Sequence, residues 1–333
     1  MSVVNIAPHP DDESHGELVG GSAAFADVLK QIRRIAMSEA PVLIEGETGC
    51  GKELAARAMH YWGPRNSGPF VPINCGALPD HLLEAELFGH ERGAFTDAKL
   101  ARRGLVAEAN GGTLFLDEVD ALTAKAQVTL LRFLQDQRYR PLGSSRELTT
   151  NVRLIAATNQ PLDDAMQFGN FRSDLMYRLK ILHLELPPLR ARGDDATALA
   201  HRFVERLCAK YRVPLKGFDD ATLAWIRAHT WPGNVRELEN WVHRQVLMAD
   251  GATIRAAPGE AANELDAAPA SARSHFQHAK AEAVRRFERD YLLSVMRQAG
   301  GNVTRAAQMA GKERRAFGKL VKKHGIGRDA TPE

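Results

Sequence analysis

The chain has 333 residues, of which 44% are apolar and 26% are charged, and its net charge is +3. This length allows two or more domains with substantial cores. Three widely separated cysteines, Cys50, Cys75 and Cys208, indicate neither a disulfide framework nor a zinc knuckle. No apolar run approaches the roughly 18 residues of a membrane span, and residues 1–20 lack the basic start and apolar core of a signal peptide. We therefore expect a cytoplasmic protein without a membrane partner.

The net charge is distributed unevenly along the chain. Residues 271–333 contain 14 Lys or Arg against 6 Asp or Glu, a net charge of +8, which leaves −5 for the rest. A basic terminal segment on a mildly acidic body predicts one domain that contacts nucleic acid and another that does not.

Residues 1–16 are predicted to be a leader with one motif of its own. The mostly apolar residues 3–7 precede His-Pro-Asp-Asp-Glu at 9–13, which resembles the strand and metal-binding turn of zinc-dependent sugar deacetylases. Such an enzyme needs its own sheet and a distant third ligand, whereas the residues that follow belong to another fold. We therefore favour a polar leader that carries these letters by chance over a zinc site.

A phosphate-binding loop is predicted after a first helix over residues 25–35. Residues 41–44 are apolar, residues 53–61 have amphipathic helical spacing, and between them stand Gly46-Glu47-Thr48-Gly49-Cys50-Gly51-Lys52. Small residues let backbone N–H groups curl around a polyphosphate, and Lys52 supplies charge for its β and γ oxygens. Glu53 stands where the usual motif has a Ser or Thr that holds magnesium, so we expect its carboxylate to turn away and Mg²⁺ to be held elsewhere. The alternative, a glycine-rich turn with a surface lysine, does not account for the flanking elements.

Three further strands are predicted to end in polar residues. They cover residues 70–73, 113–116 and 152–157, and they are followed by Asn74, Asp117-Glu118 and Thr158-Asn159. Strands that alternate with helices predict an α/β fold with a mostly parallel sheet and a site along its carboxyl edge. Beside a phosphate loop, Asp117 can hold Mg²⁺ and Glu118 can orient the attacking water. The alternative is an acidic pair that caps a helix.

Six motifs follow one another along the chain: GETGCGKE at 46–53, ELFGHE at 86–91, GAFTDA at 93–98, GGTLFLDE at 111–118, FRSDL at 171–175 and WPGNVREL at 231–238. Their order and spacing resemble the sigma-54-dependent transcription activators, also called bacterial enhancer-binding proteins, over residues 17–250. The resemblance implies an AAA+ P-loop NTPase domain, with a parallel sheet, helices on both faces and a small helical lid, followed by an all-α helix-turn-helix domain. It also implies a homo-oligomeric ring, expected to be hexameric, that binds ATP between subunits and remodels the sigma-54 RNA polymerase holoenzyme at promoters.

The resemblance also implies individual roles. Residues 46–53 hold ATP, Asp117 and Glu118 serve Mg²⁺ and water, and Asn74 restrains Glu118. Thr158 and Asn159 match the position of the first sensor, and Arg236 matches that of the second. Arg172 and Arg178 match the positions of the two trans-acting arginine fingers. An arginine from a neighbouring subunit would stabilise charge on the transferred phosphoryl group, so hydrolysis would require assembly.

Several of these roles have alternatives. Arg172 and Arg178 could be surface ion-pair partners, Asn74 could cap the turn after its strand, and Arg236 could cap its own helix region. Cys50, where the family has a small hydroxyl residue, is interpreted as a small filler, with redox control of ATP binding as the alternative.

The family's loop that contacts sigma-54 departs from its usual sequence at Asp97. Phe95 and Thr96 match the contact residues, but Asp97 replaces a glycine, which permits positive φ at little cost. One alternative is a tolerated substitution with activation intact. The other is weakened or altered coupling to sigma-54, which would make the chain a DNA-binding antagonist.

The last part of the chain predicts a linker and a DNA-binding domain. Residues 252–272 are rich in Ala, Pro and Gly without a sustained apolar period. Two short helices follow, over 303–310 and 314–323, joined by a turn at Gly311 and preceded by Asn302 as a cap. They resemble the Fis-type helix-turn-helix, whose contacts with double-stranded DNA would come from Arg314, Arg315, Lys319, Lys322 and Lys323. A basic solvated helix is the alternative.

The predicted domains are a leader at 1–16, the α/β ATPase subdomain at 17–188, the lid at 189–250, a linker at 251–274 and the helix-turn-helix domain at 275–328. Fewer than 20 residues precede the ATPase domain, where the family commonly has a receiver or ligand-sensing domain. We therefore expect control by a trans-acting regulatory protein, by expression level or by a modification.

Overall fold

The computed structural model describes residues 2–5, 17–77, 79–95, 98, 100–255, 291–292, 294–296, 299, 302–311 and 314–323. The chain divides into two compact units, residues 1–257 and residues 258–333. Within the described residues, no helix is long and apolar enough to cross a membrane.

The described strands, in chain order, are β1 (Ser2–Asn5), β2 (Glu17–Gly20), β3 (Val42–Glu45), β4 (Phe70–Asn74), β5 (Gly89–His90), β6 (Arg102–Arg103), β7 (Thr113–Asp117), β8 (Arg138–Tyr139), β9 (Leu148–Thr149), β10 (Arg153–Thr158), β11 (Leu182–Glu185), β12 (Gly217–Phe218) and β13 (Thr253–Ile254). The described α-helices are α1 (Ala23–Ala36), α2 (Lys52–Tyr61), α3 (Asp80–Phe88), α4 (Leu105–Glu108), α5 (Ala124–Asp136), α6 (Leu162–Gln167), α7 (Ser173–Leu179), α8 (Asp195–Tyr211), α9 (Asp220–Ala228), α10 (Asn234–Met248), α11 (Val303–Met309) and α12 (Arg314–Lys323).

The first unit is built on a five-stranded parallel sheet in the order β11, β3, β10, β7, β4. The four predicted strands are present, with bounds shifted by about one residue, and β11 is an additional edge strand. Because successive side chains of a strand point to opposite faces, Leu114 and Leu116 of β7 join one buried cluster and Phe115 joins the other. Helices α1 and α2 cover the Phe115 face, and α3, α5 and α7 cover the opposite face. Both faces are therefore buried, as expected for a parallel sheet.

The end of the first unit is a helical lid formed by α8, α9 and α10. Its core contains three tryptophans in mutual ring contact, with centroids 5.0 to 6.2 Å apart: Trp225, Trp231 and Trp241. The lid helices pack mainly on one another, with α8 against α10 and α9. This apolar centre lets the lid keep its own shape while its edges contact the sheet domain.

The second unit contains the two predicted short helices, α11 and α12. Asn302 caps α11 because its side-chain oxygen accepts hydrogen bonds from the backbone N–H groups of Thr304 (3.0 Å) and Arg305 (3.2 Å). Gly311 has a φ of +60°, which a glycine adopts without strain at the turn between the helices. Phe317 of α12 is fully buried in an apolar cluster with residues of α11.

Candidate nucleotide-binding site

The phosphate loop, residues 46–52, connects the buried strand β3 to α2. Gly49 and Gly51 have φ values of +78° and +102°, so the loop requires glycine at both positions. Lys52 begins α2, and its Nζ atom donates to the carbonyl oxygens of Gly46 (2.7 Å) and Glu47 (3.1 Å). The Lys52 amine therefore lies against the loop in which it is predicted to contact phosphate oxygens. The following Glu53 pairs with Arg57 at 2.9 Å, one turn along the helix.

The acidic pair lies at the carboxyl end of β7. Burial raises the pKa of Asp117, although the hydrogen bond from the Glu118 backbone N–H and the positive charge of Lys52 oppose this effect. Glu118 has a φ of +53°, a left-handed conformation that is uncommon for a residue other than glycine. Such strain is concentrated at functional sites because the surrounding structure must impose it.

Asn74 lies at the end of the neighbouring strand, β4. Its side-chain oxygen accepts hydrogen bonds from the backbone N–H groups of Gly76 (2.8 Å) and Ala77 (3.0 Å), so it caps the turn after its strand. A Cβ atom on Gly76 would lie 2.4 Å from Oε2 of Glu118 and 3.4 Å from Oδ1 of Asn74. The two side chains therefore approach the same glycine, and the geometry accommodates both interpretations of Asn74.

The predicted sensor residues lie at the end of β10 and on the lid. The Thr158 hydroxyl is buried and lies 2.8 Å from Oδ1 of Asp120, whereas Asn159 is exposed. Arg236 lies in the first turn of α10, and its Cβ would be 3.1 Å from a Cβ on Gly49. Arg236 is thus directly beside the phosphate loop.

Two backbone contacts fix the lid on the loop. The N–H of Val235 donates to the carbonyl oxygen of Gly49 at 3.1 Å. A Cβ on Gly49 would lie 2.3 Å from the carbonyl oxygen of Gly233, a separation that only glycine allows. The start of α10 therefore lies close against the loop.

The two predicted arginine fingers are exposed at α7. Arg172 forms a bidentate ion pair with Asp174, at 3.0 Å and 2.6 Å, so it has the surface partner that the alternative requires. Arg178 lies on the exposed face of the same helix. Both side chains are accessible to a second molecule.

Several predicted residues lie outside the described part of the chain. These are Thr96, Asp97 and the His-Pro-Asp-Asp-Glu run at 9–13, together with the side chains of Lys319, Lys322 and Lys323. The described neighbours are Phe95, whose ring lies 4.9 Å from that of His90, and Arg314 and Arg315, which are both exposed. Within the described residues, no group of three or more His, Cys, Asp or Glu side chains could hold a metal ion.

Cys50 is buried within the loop, and a Cβ on Gly46 would lie 2.9 Å from its Sγ atom. Burial raises the pKa of the Cys50 thiol, although the charge of Lys52 opposes this effect. A raised pKa disfavours the reactive thiolate.

Comparison with known proteins identifies the family. Residues 18–185 match the family described as Sigma-54 interaction domain. The chain belongs to the sigma-54-dependent transcriptional regulators. Residues 190–273 match the AAA+ ATPase lid domain, and residues 283–324 match the Fis family of bacterial regulatory proteins. The chain is therefore an AAA+ ATPase with a helix-turn-helix DNA-binding domain.

Relatives in this family match most of the chain. The regulatory protein AtoC of Escherichia coli K12 is 41% identical over 93% of this chain and 68% of its own length. The transcriptional regulatory protein ZraR of the same strain is 42% identical over 90% of this chain and 67% of its own length. A crystal structure of NtrX from Brucella abortus in complex with ADP is similar with a TM-score of 0.68 and 33% identity, over 93% of this chain and 69% of that chain.

Sequence reasoning missed the residues that join the lid to the rest of the unit. The sequence indicates Glu47 only as part of the ATP loop, and it gives no role to Arg190 or to Asn234. Asn234 has a φ of +53° and is fully buried, and its side chain contacts the backbone of the phosphate loop. Its place in the WPGNVREL motif was the one available signal.

Proposed function

We propose that this ATPase binds upstream DNA and uses ATP hydrolysis to remodel the sigma-54 RNA polymerase holoenzyme, which drives open-complex formation. The observation that carries the proposal is that Lys52 and Arg236 lie against the phosphate loop, while Asp117 and Glu118 stand at the carboxyl end of β7 in the same parallel sheet. Lys52 and the loop N–H groups would hold the phosphates, and Glu118 would orient the attacking water. Arg236 would link the state of the nucleotide to the position of the lid.

Asp117 would hold Mg²⁺ in this mechanism. Its carboxylate is partly buried at the end of β7, with one hydrogen bond from the Glu118 N–H, so it retains acceptor capacity for a hard cation. Such an ion supplies charge neutralisation at the β and γ oxygens. Glu53 contributes no ligand in this arrangement because it pairs with Arg57.

Hydrolysis would take place in a homo-oligomeric ring, which we expect to be hexameric. Arg172 and Arg178 would reach the ATP of the neighbouring subunit, a contribution that is typically worth about 10³-fold or more in rate. Arg172 would have to exchange its partner Asp174 for that phosphate, so assembly would compete with an ion pair within the subunit.

DNA binding is assigned to the second unit. The exposed Arg314 and Arg315 begin α12, and Lys319, Lys322 and Lys323 continue the basic sequence of that helix. We propose that this helix enters the major groove of double-stranded DNA. A regulator that acts on the bacterial chromosome works in the cytoplasm, and a trans-acting regulatory protein would control it.

A second candidate function follows from Asp97 in the loop at 93–98. Aspartate in place of glycine adds one negative charge per subunit and restricts the backbone. In this alternative the ring hydrolyses ATP and binds DNA but fails to remodel the polymerase, and it acts as an antagonist.

The deciding experiment is open-complex formation on a supercoiled sigma-54 promoter with purified sigma-54 polymerase, ATP and excess full-length protein. We compare the natural chain with Lys52→Ala, with Asp97→Gly and with Lys30→Ala, which removes an exposed lysine on α1 as a control. Lys52→Ala should reduce ATP hydrolysis and open-complex formation by about 10²-fold or more. Lys30→Ala should behave as the natural chain.

Activity of the natural chain would establish the activator. Activity only after Asp97→Gly would establish the antagonist. ATP hydrolysis that survives Lys52→Ala unchanged would contradict the assignment of residues 46–52 to ATP.

A further inference from the structure

The Glu47 carboxylate belongs to the phosphate loop but points to the lid. The Arg190 guanidinium donates to both of its oxygens, from Nη1 to Oε2 at 2.8 Å and from Nη2 to Oε1 at 2.5 Å. Asn234 Nδ2 donates to Oε2 at 3.1 Å. A bidentate arginine and a side-chain amide thus fix one carboxylate within a loop that is predicted to bind an anion.

The two partners of Glu47 belong to different parts of the lid. Arg190 lies in the short 3₁₀ turn Leu189–Ala191 that leads into the lid, and Asn234 begins α10. Asn234 also joins these parts directly, because its Oδ1 accepts from the Leu189 N–H at 2.8 Å and its Nδ2 donates to the Thr48 carbonyl oxygen at 3.0 Å. The loop, the entrance to the lid and the first turn of α10 therefore meet at Glu47.

The charge of this carboxylate matters because of what the loop binds. The Arg190 guanidinium holds the pKa of Glu47 below its ordinary value, with Asn234 and Lys52 assisting and partial burial opposing. Glu47 is therefore ionised at neutral pH. An anion within the loop repels a triphosphate unless a cation neutralises it. Lys52 cannot fully neutralise both the triphosphate and the Glu47 carboxylate. Arg190, which donates to both carboxylate oxygens, is therefore the cation that neutralises Glu47.

We propose that Arg190 and Glu47 are a positioning pair for ATP: Arg190 neutralises the carboxylate beside the triphosphate and ties the lid to the phosphate loop. The inference rests on the proposed function, in which ATP occupies residues 46–52. It adds a residue outside the nucleotide-binding motifs that sets the affinity of the loop.

The proposal predicts an asymmetry between the two partners. Arg190→Met leaves the carboxylate in place without its cation, and it should weaken ATP binding on the order of tenfold. Glu47→Gln removes the negative charge and keeps a side chain that can hydrogen bond to Arg190 and Asn234, so it should weaken ATP binding less than Arg190→Met does. The double variant has no uncompensated anion and should bind ATP nearly as tightly as Glu47→Gln alone.

A matched control is available within the lid. Arg206 of α8 pairs with Glu239 of α10, and these side chains are 45% and 43% exposed, against 47% and 40% for Arg190 and Glu47. Arg206→Met therefore removes an equally exposed arginine from an ion pair that does not touch the phosphate loop.

The experiment measures the Kd of the full-length variants for ATPγS by titration calorimetry, and KM and kcat for ATP hydrolysis. We expect the Kd and KM of Arg190→Met to rise on the order of tenfold while kcat at saturating ATP changes by less than about twofold. A variant that is merely less folded would instead lose kcat and binding stoichiometry at an unchanged Kd. The double variant Glu47→Gln, Arg190→Met should have a Kd close to that of Glu47→Gln alone.

Two results would overturn the pair's role. One is an Arg190→Met Kd equal to that of Arg206→Met, and the other is a double variant that is as weak as Arg190→Met alone. Lys52→Ala separates this failure from that of the proposed function, since nucleotide binding that survives Lys52→Ala contradicts the site itself. Loss of binding in Lys52→Ala together with an unaffected Arg190→Met contradicts only the positioning pair.

Discussion

Replacement of Asp195 with alanine should destabilise the lid more than any exposed ion-pair substitution. The Asp195 carboxylate accepts hydrogen bonds from the backbone N–H groups of Gly21 (2.7 Å) and Ser22 (3.0 Å) and from the Ser22 hydroxyl (2.9 Å). It also accepts from Arg192 Nε at 3.0 Å. This one side chain at the start of α8 therefore joins the lid to the segment between β2 and α1.

The magnitude follows from burial. Asp195 and Arg192 are 2% and 3% exposed, so alanine at 195 leaves a buried guanidinium without its anion. Breaking such a pair costs about 3–5 kcal/mol, a large part of the roughly 5–15 kcal/mol that stabilises a domain. Arg192→Met should cost less, about 1–3 kcal/mol, because the carboxylate keeps its three donors from Gly21 and Ser22.

Tryptophan fluorescence can report the unfolding of the lid. Three of the four tryptophans of the chain, Trp225, Trp231 and Trp241, lie in its core. We expect urea titrations of the full-length protein to give the order Asp195→Ala, Arg192→Met, Arg202→Met from most to least destabilised. Arg202→Met is the control, since Arg202 also joins α8 to β2 through Glu17 but is 39% exposed, and its loss should cost about 0–1 kcal/mol.

The reasoning fails if Asp195→Ala and Arg202→Met shift the free energy of unfolding equally. Equal losses would mean that solvent reaches the Arg192–Asp195 pair and screens it. The difference between buried and exposed ion pairs would then not govern the attachment of the lid.

Three further predictions concern pH, a buried arginine and a helix cap. Burial raises the pKa of Asp195, but hydrogen bonds from Gly21 and Ser22 and the charge of Arg192 outweigh this effect, so its pKa is lowered. The natural chain should therefore be more stable than Asp195→Asn by a constant amount from about pH 5 to 8, and this difference should fall below about pH 4. Thermal unfolding measured at a series of pH values checks this. Arg153→Met should cost about 2–4 kcal/mol, because the buried guanidinium donates to carbonyl oxygens at the ends of α1 and α2; an unchanged midpoint of thermal unfolding would contradict this. Asn302→Ala should cost about 1 kcal/mol, seen as faster amide exchange in the first turn of α11, with α12 as the internal reference.

The strands that carry the candidate site could be predicted because their apolar runs end in polar residues. Phe70–Asn74, Thr113–Asp117 and Arg153–Thr158 follow this rule, and the carboxyl ends of parallel strands meet at one sheet edge. The edge strand β11 has the sequence Leu-His-Leu-Glu, with only Leu184 fully buried, so it lacked the continuous apolar run that marks an interior strand.

The sequence alone determined the family, the order of the domains and the phosphate loop. These features depend on local spacing: glycines with positive φ, an apolar strand before them and a helix after them. The capping of α11 by Asn302 is equally local.

Only the tertiary structure decided how the lid is attached. Glu47 and Arg190 are 143 residues apart, and Ser22 and Asp195 are 173 apart. No periodicity links such positions, because their contact depends on how three separate elements cross. The sequence does not show which residue a charged side chain pairs with. Whether that pair is buried, and therefore costly to break, is decided only by the packing of the lid against the sheet domain.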